Sequence, residues 1–292
     1  MSAMVTNMLI KSYNFSIQEL DRFRHYQRLS FSILESVAAQ LEIGQTEKEV
    51  ARELVIRFRA AGVKSFFHLP VVLFGSRTAL PGAWSIGHFF PKSNALTKDT
   101  CIIMDASPIF NGYMVDTSYS FCFGKNASHE KMMTDLSGFR DSILGAVNKG
   151  DSFKSIAISV NNELNTMGYE PVHTKHPGEV LGHRAIKVPQ LPFIWRTQGF
   201  DALALLWFRL KAKLAGSGWG NESPLWNSAE TSDHKPHDGL WLVEPHAGAG
   251  EVGAKWEEIL VIKDGQAEWL EKEPPHVKQW KNIADGVDYC PV

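Results

Sequence analysis

The sequence predicts a single domain of the mixed α/β (α+β) class, and three local patterns predict it. The first is a pair of helix-start signals, Ser16-Ile17-Gln18-Glu19 and Thr46-Glu47-Lys48-Glu49. The second is Asn111-Gly112 between β-rich runs, the strongest short hairpin signal in the chain. The third is a glycine-rich return, Gly248, Gly250 and Gly253, between apolar strands that each carry a glutamate. With 292 residues, 44% of them hydrophobic, the chain can bury a substantial core.

The first helix opens after Ser16, with Leu20, Phe23, Tyr26, Leu29, Ile33 and Val37 at helical spacing, and Gly44 closes it. The second follows Thr46 and ends near Gly62. Val71 to Phe74 reads as a short strand. Cys101 to Ala106 and Tyr113 to Phe123 form the two arms of the hairpin. Ser128 and Ser152 are candidate N-caps of two further helices, the later one stopping at Gly168. Leu240 to Glu244 and Lys255 to Ile262 are late strands, and Asp264-Gly265 turns into another. Between about 185 and 239 lies an aromatic- and proline-rich insertion, in which Ala202 to Leu214 is one helix. Its tryptophans argue for ordered loop, and loops of that length usually serve function. No linker divides the chain, so residues 1–15 are expected to be an N-terminal extension and 16–292 one domain.

The formal net charge of -2, from 30 basic and 32 acidic residues, gives no electrostatic case for nucleic acid or an anionic membrane. No apolar run approaches the roughly 20 residues that cross a bilayer. The first residues do not have the pattern of a signal peptide. Cys101, Cys122 and Cys290 are too few and too widely spaced for a disulfide framework or a thiolate metal site. A cytoplasmic protein is expected.

Five residues carry the chemistry: Asp105, Asp116, His183, Glu244 and Glu257. If Asn111-Gly112 is a two-residue turn, Phe110 pairs with Tyr113 and Ser107 faces Asp116. Asp105 then shares a face with Ser107. It becomes a diagonal neighbour of Asp116, roughly 7–8 Å away at the base. If the glycine-rich return is symmetric, Glu244 and Glu257 stand directly opposite each other. Opposed like charges are unfavourable unless something compensates them. Each acid alone would read as a solvated strand residue, and a lone histidine as a satisfied core or surface residue. Together, hard oxygen ligands and one nitrogen suit a pair of divalent first-row metal ions. His88, in Gly87-His88-Phe89, could donate a hydrogen bond to a substrate carbonyl or carboxylate. His176, His234, His237 and His246 cannot be ranked by spacing.

In this order the residues resemble the pita-bread metallopeptidase family, which includes methionine aminopeptidases, aminopeptidase P, prolidase and the metal-free creatinases. The resemblance covers Ser16 to Leu270 and rests on six matches. These are Met104-Asp105-Ala106-Ser107, Gly112-Tyr113-Met114-Val115-Asp116-Thr117, Gly182-His183, Val243-Glu244-Pro245, Trp256-Glu257-Glu258, and His88 placed 17 residues before Asp105. It implies a curved, mainly antiparallel sheet covered by helices, with a dinuclear metal site at its centre. Asp105 would hold one ion, Asp116 and Glu257 would bridge both, and His183 and Glu244 would complete the coordination of the second ion. The ions would be Mn, Co, Fe or Zn. The implied activity is hydrolysis of the N-terminal peptide bond of short peptides by a metal-bridging hydroxide, with Glu244 as proton shuttle and His88 as a catalytic contact. The His-aromatic wording around His88 resembles the Xaa-Pro-directed members, although no segment before Ser16 has room for their extra N-terminal domain.

The departures define the alternatives. Where relatives carry a second histidine seven residues after the ligand histidine, this chain has Gln190. His234 or His246 would replace it, and these three join His88 as candidate substrate-binding residues. The family's arginine after the second aspartate is replaced by Ser118-Tyr119. A methionine aminopeptidase, or a metal-dependent non-peptidase enzyme acting on a small amide, are the alternatives to the Xaa-Pro reading. The insertion would serve as a lid or as a subunit contact in a homodimer.

Overall fold

The computed structural model describes residues 10–83, 85–189, 196–197, 199–218 and 222–287. Both predicted capping boxes form. Helix α1 (Ile17–Ala38) is capped by Ser16 and Glu19, and α2 (Glu47–Ala60) by Thr46 and Glu49. The first helix ends before Gly44, at Ala38, and the chain continues through a turn in which Leu41 is still buried in the same core. Strand β1 (Ser65–Phe74) is longer than Val71–Phe74 because it pairs with β2 (Thr100–Phe110) over most of its length.

The hairpin holds the expected register from end to end. Phe110 pairs with Tyr113 in β3 (Tyr113–Met114), and Thr100 with Phe123 in β4 (Thr117–Phe123). Val115 and Asp116 interrupt the ladder between β3 and β4, although the register on either side is unchanged. Helices α3 (Ala127–Lys149) and α4 (Phe153–Thr166) follow. The cap of α3 is Asn126 rather than Ser128: the asparagine carboxamide oxygen accepts from the His129 N–H. Ser152 caps α4 as expected.

The second half is built from β5 (Glu170–Pro171), β6 (Gly182–Arg184), β7 (Arg196–Thr197), β8 (Phe200–Asp201) and β9 (Leu225–Trp226). It continues with β10 (Gly239–Val243), β11 (His246–Ala249), β12 (Val252–Lys255), β13 (Glu258–Lys263) and β14 (Gln266–Trp269). The insertion contributes α5 (Ala202–Gly216), and α6 (Pro275–Ala284) lies near the end. The expected strand Lys255–Ile262 is broken into β12 and β13, with Trp256 and Glu257 between them. Among the described residues the strands form three sheets, ordered β3-β2-β1-β8-β7 with β4 on β2, β14-β13-β10-β6-β9, and β12-β11-β5. An antiparallel bridge between Ser118 and Glu257 joins the first half of the molecule to the second.

Alternation along β2 explains why the acids are presented as they are. Ile102, Met104 and Ala106 pack into one hydrophobic core with Phe23 and Leu54 of the helices, so Ile103, Asp105 and Ser107 point the other way. A separate core beneath α3 and α4 gathers Leu136, Phe153, Trp226, Trp241 and Trp256. The tryptophans of the insertion and the late strands are therefore partly core. Two glycines let backbone segments approach closely, one within the second half and one between the halves. A Cβ on Gly182 would lie 2.3 Å from the Leu242 carbonyl oxygen, and one on Gly253 would lie 2.1 Å from that of Thr78. Neither position has room for a side chain.

Candidate metal centre

Five elements converge on one buried cluster. Asp105 comes from β2, Asp116 from the break before β4, His183 from β6, and Glu244 and Glu257 from the breaks after β10 and before β13. The glycine-rich return is symmetric: Val243 pairs with Glu258 and His246 with Lys255, which sets Glu244 opposite Glu257. All five side chains are buried. The structure thus brings the five sequence-derived candidates together from segments far apart in the chain.

Two groups of side chains have donor atoms within 4.8 Å of one another: His68, Asp105 and Asp116, and Asp116, His183 and Glu257. Among the described residues, one buried oxygen each of Asp105 and Asp116 and both of Glu257 have no hydrogen-bond partner, Glu257 Oε2 having only an ion-pair contact with Lys255. Buried carboxylates are normally paired or bound to metal, because desolvating an unpaired charge is costly. Orphaned oxygens of this kind, with two imidazole nitrogens beside them, fit divalent ions. Asp105, Asp116, His183 and Glu257 would hold them, joined by Glu244.

The sequence reading missed two members of the cluster. Lys255, only 2% exposed, places its ammonium 2.7 Å from Asp105, 3.0 Å from Glu244 and 3.3 Å from Glu257. Burial alone would lower its pKa, but Asp105, Glu257 and Glu244 together raise it well above the usual lysine value. A signal for it existed: Lys255 stands two residues before Glu257 on a strand pattern, hence on the same face. His68 of β1 lies 3.3 Å from Asp116 and 3.6 Å from Asp105. Burial would push its pKa down, yet the two aspartates raise it to about 10. Burial would likewise raise Asp116, but His68 and His183 hold its carboxyl well below the usual carboxylate range. Glu257 is pushed up by burial first and by Asp116 next.

A relay of histidines stands behind Glu244. His176 Nδ1 is 2.9 Å from Glu244 Oε2, His176 Nε2 is 3.0 Å from His246 Nδ1, and His246 Nε2 is 2.7 Å from the Thr78 carbonyl. A carbonyl only accepts, so His246 Nε2–H donates to Thr78 and His246 Nδ1 accepts from His176 Nε2–H. The contact between His176 Nδ1 and Glu244 then requires one more proton, shared by the pair. Burial and the neighbouring His176 hold His246 well below the ordinary histidine pKa, in keeping with a neutral ring.

The remaining candidates are placed differently. His88 lies in a short 3-10 turn, where its carbonyl accepts from Arg77, while its neighbours Phe89, Phe90 and Pro91 line the cleft. His234 stacks on His237, 4.3 Å away, and packs against Phe153. Gln190 lies outside the described residues.

The cluster forms the floor of a cavity of about 660 Å³. Its walls are largely apolar, including Phe67, Leu69 and Pro70 of β1, and Leu205 and Phe208 of α5. Lys48 and Arg52 of α2 also line it. Phe208 stands edge-on to His183, with ring centroids 5.6 Å apart, so the insertion touches the centre itself.

The profile of Metallopeptidase family M24 matches residues 21–264, and the chain belongs to that family. It resembles an uncharacterized peptidase of Staphylococcus saprophyticus, 23% identical over 168 residues, which are 57% of this chain and 46% of that protein. A second such peptidase, from Staphylococcus haemolyticus, is 28% identical over 106 residues, 36% of this chain and 28% of its own length. The chain thus spans less than half of either curated relative. Among solved structures, the X-Pro aminopeptidase of Thermotoga maritima superposes with a TM-score of 0.66 at 18% identity, covering 94% of this chain and 66% of that one. The Xaa-Pro dipeptidase of Bacillus anthracis gives 0.60 at 17% identity, covering 94% and 65%. These likenesses establish the pita-bread fold. Among the described residues no helix is long and apolar enough to cross a membrane.

Proposed function

We propose that this chain is a metal-dependent aminopeptidase that removes the N-terminal residue from short peptides, with preference for Xaa-Pro sequences, and that residues 16–292 act as one catalytic domain. The observation that carries this reading is the cluster of buried carboxylates and imidazoles at the base of an apolar cleft, several of whose oxygens have no hydrogen-bond partner. Divalent ions held there would polarise a carbonyl and lower the pKa of water.

The protein's own groups supply the rest. The shared proton between Glu244 Oε2 and His176 Nδ1 sits where a general acid or base is needed, and His246 fixes the tautomer behind it. His176 thereby offers the imidazole that Gln190 does not. The apolar walls exclude water and suit a proline ring or an aliphatic side chain. Lys48 and Arg52 offer positive charge to the terminal carboxylate of a short peptide.

The test is hydrolysis of Met-Ala, Ala-Pro and longer Xaa-Pro peptides after reconstitution with Mn, Co, Fe or Zn, with Asp116→Ala as control. Metal-dependent release of one N-terminal residue from the Xaa-Pro substrates alone supports the proposal. Cleavage of Met-Ala instead moves the chain to the methionine branch. Metal binding with no cleavage of any peptide favours a non-peptidase enzyme on this fold.

A further inference from the structure

We propose that His68 is itself a metal ligand, giving the centre an imidazole at each end: His68 with Asp105 and Asp116, and His183 with Asp116 and Glu257. The inference rests on the reading that the centre holds divalent ions, and assigns it a donor absent from the five-residue set.

The two histidines are held in the same way. His68 Nδ1 is 3.0 Å from the carbonyl of the next residue, Leu69, and His183 Nδ1 is 3.2 Å from the carbonyl of its own successor, Arg184. A carbonyl only accepts, so both Nδ1 atoms carry the hydrogen. A backbone carbonyl on one ring nitrogen is the usual device that orients the other nitrogen toward a metal. Both Nε2 atoms are then aimed at one oxygen, Asp116 Oδ2, at 3.3 Å from His68 and 3.4 Å from His183. Two lone pairs at that separation repel unless a metal ion or a proton lies between them, and only a metal ion would be shared by both imidazoles as a common centre.

The local fold supports a purpose for this aim. The β1–β2 register shifts twice, between Phe66 and His68 and again between His68 and Val71. Bulges of this kind re-aim a side chain next to active sites. Pro70 has no N–H to give the ladder, which suits it to such a break. On the far side, the Lys255 ammonium contacts Asp105, Glu244 and Glu257, and His176 also takes Glu244. Glu244 lines the cleft but is already engaged by Lys255 and His176, and His68 supplies a further donor on that wall.

The experiment is calorimetric titration of metal-free full-length protein with Mn(II), comparing the native chain with His68→Ala and His68→Gln. Circular dichroism would establish that each variant is folded. Pulsed EPR of the Mn(II)-loaded, ¹⁵N-histidine-labelled proteins then counts imidazole donors. The proposal expects two imidazole couplings in the native protein and one in His68→Gln. It also expects both variants to lose one ion, or to bind one at least about tenfold more weakly. Unchanged stoichiometry, affinity and couplings in the folded variants would overturn it, leaving His68 as a protonated ion-pair partner of the aspartates. No Mn(II) binding by the native protein would remove the metal reading itself, and this inference with it.

Discussion

His176 Nδ1 lies 2.9 Å from Glu244 Oε2, and the chain of hydrogen bonds behind it places one shared proton between them. His176→Gln can keep a hydrogen bond to Glu244 but cannot exchange the proton. If the pair acts as acid or base, kcat should fall about 10²–10⁴-fold with little change in KM. Metal content should stay as in the native protein. A variant with full kcat would assign the relay a structural role only.

Lys255 compensates three buried carboxylates. Lys255→Met, which keeps the apolar stem, should destabilise the metal-free protein by about 3–5 kcal/mol, since breaking a buried ion pair strands its partners. Added Mn(II) should recover more stability in the variant than in the native protein, because ligand binding to the folded state adds to stability. Urea denaturation with and without metal measures both effects. Equal recovery in the two proteins would separate Lys255 from the metal centre.

Gly182 allows β6 to meet β10 where His183 pairs with Leu242. Gly182→Ala should therefore cost about 2–4 kcal/mol in chemical denaturation, in the range of severe overpacking. It should also weaken metal binding, because His183 rides on the displaced strand. Loss of stability with unaltered metal affinity would show that β6 shifts without moving the imidazole.

His129 is buried, its Nε2 has no partner among the described residues, and burial lowers its pKa to about 4. Between that value and the unfolded pKa near 6.5, the unfolded chain binds more protons than the folded one. Stability therefore rises with pH across this window and falls as pH drops from about 6.5 toward 4. The loss attributable to this group is about 3 kcal/mol at full titration, at 1.36 kcal/mol per pKa unit. His129→Phe should flatten that part of the pH–stability curve, and an unchanged slope would assign the acid sensitivity to other groups.

Phe208 packs on Phe67 and His183 from the insertion helix, with ring centroids 4.7 and 5.6 Å away. Truncation by Phe208→Ala should raise KM for substrates with bulky apolar residues about tenfold or more, and affect small ones less. A uniform fall in kcat across substrates would instead mean that Phe208 chiefly holds His183 in place.

Local chemistry was enough for much of this. Ser16 and Thr46 announce their helices because a capping hydroxyl and a glutamate three residues later satisfy the same end amides. Asn111-Gly112 sets the register of the hairpin, because few other residues accept the positive φ of its turn; here φ is 49° and 91°. The same arithmetic across the glycine-rich return places Glu244 opposite Glu257. Order and spacing set the two acid pairs, and the family resemblance they carry added His183 and implied the fold and the five residues as one cluster. Tertiary structure decided what surrounds them. His68 reaches Asp116 through two bulges that no periodicity reveals, and His176 meets Glu244 and His246 only because β5, just before it in the chain, pairs with β11. Register follows from neighbours along the chain, whereas a buried charge is balanced by whatever group the fold brings within a few ångströms, and that distance is written only in three dimensions.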